Sequence, residues 1–84
     1  MRNEIRKSLN RMAQWEKLAN QADDALELDP FNEDLEKASD HYYELAFNEY
    51  VHCVHLVTRF SGIDEHSAKI IVNEKRNELR ALIA

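Results

Sequence analysis

The chain has 84 residues, 32% charged and 44% apolar, with a formal net charge of −5 and a single glycine, proline and cysteine. That length supplies one hydrophobic core and excludes a second. A lone cysteine excludes an internal disulfide, and no apolar run is long enough to span a bilayer. The start of the chain, MRNEIRKSLNRMA, lacks the continuous apolar core of a secretory signal, and Cys53 in its apolar surroundings suits a reducing compartment. Together these features predict a soluble, cytoplasmic protein. Charge is unevenly spread: residues 1–17 carry five Lys/Arg against two acids, residues 18–49 ten acids against Lys37 alone, and residues 50–84 five against four.

Helix 1 is expected over about 3–28. Ile5, Met12, Trp15, Ala19, Ala22 and Leu26 recur at spacings that place them on one helical face, widened by Leu9 and Leu18. The alanines allow a neighbouring helix to approach closely, and Trp15 is the large anchor. Pro30 cannot continue a helix and restricts Asp29 before it. Asp29 as N-cap with Pro30 at the first helical position starts helix 2, expected over about 30–61, with acids in its first turns where the helix dipole favours them.

Helix 2 contains YYELAFNEYVHCVHLVTRF, in which twelve of nineteen residues are apolar or aromatic. They cover well over half of the helix circumference, so this helix requires cover on at least two sides. Gly62 falls where it must stop and reads as the left-handed residue after the C-cap, followed by Ile63 as its hydrophobic contact. Asp64 can cap helix 3, expected over about 64–83, with Ala68, Ile71, Val72, Leu79, Leu82 and Ile83 on one side and Lys75 snorkelling within the stripe. No strand-like alternation occurs. The prediction is an all-α three-helix bundle in one domain, built on a long central helix through which it is expected to form a homodimer, making a larger helical bundle. Helix 3 is too short to cover helix 2 from end to end. The uncovered part, Tyr42, Tyr43, Phe47 and Tyr50, is therefore the expected interface for a second copy or another protein.

The string Ala25-Leu-Glu-Leu-Asp-Pro30 resembles the end of a tetratricopeptide repeat, and Tyr43 also falls on a position of that family. Asp40 and His52 depart from its pattern, and nothing in Phe47-Asn48-Glu49 breaks a helix where the family turns. The resemblance covers about six residues and implies a shared way of ending a helix.

Four constellations could carry function. The acids Asp23, Asp24, Glu27, Asp29, Glu33, Asp34 and Glu36 bracket the first loop; they offer a charged surface to a partner, or simply solvate two helix ends. They lack the spacing and central glycine of a calcium loop. His52 and His55 lie three apart, and Glu49-x-x-His52 has the spacing of di-iron bundles, which need two such motifs and two further glutamates. Glu49 falls inside the apolar arc, where a carboxylate needs a partner, and an Arg or Lys on a neighbouring helix is the expected one. Lys69, Asn73, Arg76 and Arg80 form a line on helix 3, and residues 54–73 loosely resemble a helix-turn-helix with Gly62 at the turn. That resemblance implies DNA reading through helix 3, against which stands the net acidity of the chain. No glycine loop for phosphate, metalloprotease motif or activated nucleophile is present. The expectation is a non-enzymatic interaction module without cofactor or bound metal. It would regulate, assist or inhibit by binding another protein, and a helix-turn-helix DNA binder or a metal-binding bundle on Glu49, His52 and His55 are the alternatives.

Overall fold

The computed structural model describes residues 1–84 and is entirely helical, with no strand. Helix α1 spans Arg2–Leu28, α2 Glu33–Ser61, α3 Glu65–Glu74 and α4 Arg76–Ile83. The molecule measures 46 × 21 × 18 Å, its length set by α1 and α2 at ~1.5 Å per residue. None of the helices is long and apolar enough to cross a membrane.

Helices α1 and α2 form an antiparallel hairpin held at three levels. Arg11 pairs with Glu49, Trp15 stacks on Tyr42 at 6.3 Å between ring centroids, and the Ser39 hydroxyl donates to Asp23. Ala19, Ala22, Ser39 and Ala46 are buried between the two helices, and their small side chains let the backbones approach without a third element to fill the space. Toward the other end, Ile5, Leu9 and Met12 of α1 meet Cys53, Val54, Leu56 and Val57 of α2, with Ala68, Val72, Leu79 and Ile83 closing the cluster. The hydrophobic core therefore sits at one end of the hairpin, and the other end is two helices thick.

Two expectations about the elements are corrected. Helix 2 does not start at Pro30 with Asp29 as its cap. The Asp29 N–H donates to the carbonyls of Ala25 and Leu26 and finishes α1. Pro30 and Phe31 form the turn, and Asn32 caps α2 by accepting the N–H groups of Asp34 and Leu35 at 3.1 and 3.2 Å. One side chain thereby satisfies two of the donors that a helix start leaves free.

Helix 3 is not one piece. At Lys75 the backbone leaves helical geometry (φ −129°, ψ 40°), dividing it into α3, which packs on α2, and α4, which packs on α1. The Arg76 Nε donates to the Val72 carbonyl at 2.7 Å, an acceptor that the Arg76 backbone N–H would take in a continuous helix. The guanidinium then forks onto Glu16 of α1. Lys75 is exposed at this break and does not snorkel within a stripe. A bent pair thus lies across the hairpin end where a single flanking helix was expected. Gly62, at φ 71°, ends α2 as anticipated, and Ile63 packs against the core.

Candidate functional site

Along α2, Tyr43, Phe47, Tyr50, Val54 and Val57 follow one another at four, three, four and three residues, which is a single stripe. Helix α3 covers its last two members: Val54 and Val57 are 1% exposed. With only ten residues, α3 leaves Tyr43 and Phe47 open, while Tyr50 is half-buried against the core. Phe47 is 62% and Tyr43 44% exposed. Val51, beside the stripe, is 38% exposed and extends the patch. It was not among the residues singled out from sequence, although its place four residues after Phe47 carried the signal.

Phe47 and Tyr50 form a ridge, their rings 6.2 Å apart, between two grooves. The first, ≈ 350 Å³, runs between Met12 and Glu16 of α1 and Asn73 and Arg76 at the α3–α4 break. The second, ≈ 220 Å³, lies between Val51, Val54 and His55 of α2 and Glu65 and Lys69 of α3. The apolar ridge is thus flanked by two clefts with polar edges.

Of the four residues expected at the interface, Tyr43, Phe47 and Tyr50 share this face. Tyr42 does not join them: its ring turns to Trp15 and belongs to the hairpin contact. That stacking required the relative register of α1 and α2, which spacing within either helix cannot give.

The acidic constellation lies at the hairpin tip. Asp24, Glu27, Asp29, Glu33, Asp34 and Glu36 are exposed and gather around Leu28 and Phe31, which are also bare. Asp23 differs from the others. Its carboxylate accepts from the Ser39 hydroxyl and the Tyr43 hydroxyl, each at 2.5 Å, and these two bonds hold it below the usual carboxylate range. The same contact pushes the Tyr43 hydroxyl up, since ionising it would set two negative charges side by side. Asp23 therefore joins the acidic tip to the aromatic face.

The basic line on α3 and α4 is largely drawn into the molecule. Arg76 is held by Glu16 and Val72, Arg80 donates to Asn10 at 3.0 Å, and Lys69 pairs with Glu65 one turn before it. Only Asn73 stands without such a bond while lining a groove. Glu49, the carboxylate in the apolar arc, is paired with Arg11, as charge in that position demands. His52 and His55 are exposed, and no group of three or more His, Cys, Asp or Glu side chains is assembled to hold a metal ion. Cys53 is buried, and burial pushes its thiol up, with the Ser8 hydroxyl acting in the opposite direction.

No family model matches the chain, and no curated protein or solved structure is significantly similar to it.

Proposed function

We propose that this chain is a protein-interaction module that regulates, assists or inhibits another macromolecule by binding it through the open face of α2. The observation that supports this is the stripe from Tyr43 to Val57, one continuous helical face that is covered at Val54 and Val57, half-covered at Tyr50 and open at Tyr43 and Phe47. Bare aromatic side chains of this kind are enriched where proteins meet. A helix laid on Tyr43, Phe47 and Tyr50 would extend the cover that α3 begins, so that α2 becomes the central helix of a larger bundle. The acidic tip, contiguous through Asp23, supplies charge complementarity toward a basic partner surface.

The alternatives have less support. A DNA reader on Lys69, Asn73, Arg76 and Arg80 needs free cations for phosphate, and Arg76 and Arg80 are engaged by α1. A metal site on Glu49, His52 and His55 would have to displace Arg11 from Glu49.

Site-specific photo-crosslinking tests the proposal. A photoreactive phenylalanine at position 47 is expected to give discrete adducts in cells of the source organism, whereas the same group at His52, on another face of α2, gives none. Equal labelling from both positions removes the α2 face as the binding surface.

A further inference from the structure

We propose that the occupant of the α2 face is a second copy of this chain, laid antiparallel across the first with a two-fold axis close to Phe47 and Tyr50. This rests on the reading of that face as an interaction surface and adds what sits on it.

Acids crowd one end of the aromatic stripe, and the other end carries Lys69, held by a weak pair to Glu65. Toward the start of α2, Glu33, Glu36, Asp40 and Glu44 follow at three, four and four residues, lining exposed carboxylates along one edge of the face. Beyond Phe47, in the opposite direction, the groove of ≈ 220 Å³ is edged by His55, Glu65 and Lys69, and a carboxylate brought in from a second copy would compete with Glu65 for Lys69. Lys69 has one ion pair, to Glu65 in its own helix, at 3.4 Å with the two side chains 50% and 64% exposed. Such a pair is weak and readily exchanged.

A two-fold contact presents one patch to itself, so every feature must find its complement within that patch. This one does. At the axis the two Phe47 rings meet each other, and the acid edge has Lys69 as its counter-charge. About an axis at Phe47, Asp40 of one copy falls opposite Val54 of the other, beside the groove that Lys69 borders. A parallel arrangement would set the acid edges against each other. The side of the molecule that carries the stripe, 46 Å long and about 20 Å across, can supply the roughly 800 Å² per partner that a stable interface uses.

Sedimentation of the full chain over a wide concentration series tests this, with Phe47→Ala, Lys69→Glu and the paired reversal Asp40→Lys/Lys69→Glu alongside. All three positions are exposed, so helix content by circular dichroism should stay unchanged. The wild type is expected to dimerise and to dissociate on dilution. Phe47→Ala is expected to weaken the dimer about a hundredfold and Lys69→Glu about tenfold. The paired reversal is expected to recover most of the loss from Lys69→Glu, because it restores opposite charges on both sides of the axis. A wild type that stays monomeric at the highest concentration, or a dimer indifferent to Phe47→Ala, overturns the second copy. A dimer that the paired reversal fails to restore overturns the antiparallel arrangement. If the wild type is monomeric while position 47 still crosslinks to a different protein, the interaction surface stands and only the second copy is lost.

Discussion

Ser8 is the one buried side chain whose polar atom has no hydrogen-bond partner of normal geometry. The polar group it faces is the Cys53 thiol, a weak partner at best. An unsatisfied buried hydroxyl is destabilising, so Ser8→Ala is expected to leave stability unchanged or raise it by up to about 1 kcal/mol in urea unfolding; a clear loss would reveal a bond to Ser8. Burial holds the neighbouring thiol protonated, and native Cys53 should react with a thiol reagent only as fast as the chain opens. Asp23 and Tyr43 form a second residue-scale feature, with a pH signature of its own. Asp23 is held below its ordinary 3.8, so its contribution is complete above that pH and is lost as pH falls through the lower folded value. Tyr43 is held above its ordinary 10.0, so its share is complete below that pH and is lost as pH rises through the higher folded value. Unfolding midpoints of wild type and Asp23→Asn should therefore differ by a constant amount at neutral pH and converge in strong acid. A constant gap down to pH 2 would contradict the assignment.

At the scale of elements, caps decide where the helices end, and each can be tested singly. Asn32→Ala removes the acceptor for two N–H groups and is expected to cost about 1 kcal/mol. A Cβ at Gly62 would meet nothing within 4 Å, so Gly62→Ala reports backbone strain alone, about 1 kcal/mol. Both values come from denaturant midpoints; a loss at Gly62 above about 3 kcal/mol would mean that the left-handed turn does more than end α2. The stop at Gly62 was legible because a lone glycine followed by Ile63 at the close of an apolar run has one structural meaning. The start of α2 was less so, since Asp29 and Asn32 both make good caps; the choice depends on Asp29 being engaged in ending α1. The break at Lys75 was not legible at all. Asn73-Glu74-Lys75-Arg76 contains neither glycine nor proline, and the Arg76 contact that accompanies the break is with Glu16, sixty residues earlier. Arg76→Ala is accordingly expected to lower stability and to loosen the α3–α4 junction, seen as faster amide exchange over residues 73–78 than in the wild type. Exchange unchanged there would detach the break from Arg76. The open α2 face stood between these extremes: the shortness of the third helix pointed to its uncovered end, but only the register of the packed helices turns Tyr42 to Trp15 and half-buries Tyr50.

At the scale of the molecule, the two ends of the hairpin are held by different physics. Around Ile5, Val57, Leu79 and Ile83, at most 2% exposed, elements from the whole length of the chain meet, and opening any one of them uncovers the others. Leu79→Ala there is expected to cost about 2–5 kcal/mol. At the tip, burial between α1 and α2 is confined to small residues such as Ala19, Ala22 and Ser39, and the surrounding acids repel one another. Local opening should follow the same gradient. Amides of residues 53–57 are expected to exchange only with global unfolding, and those of residues 24–36 far sooner, through fraying of the tip. Salt distinguishes the two causes of that fraying. At about 1 M the screening length is roughly 3 Å, so repulsion among Asp24, Glu27, Glu33 and Glu36 is largely suppressed. If charge drives the opening, tip amides become slower in salt while residues 53–57 do not change. If tip exchange is indifferent to salt, thin packing alone sets it, and the acids do not loosen the helices that carry them.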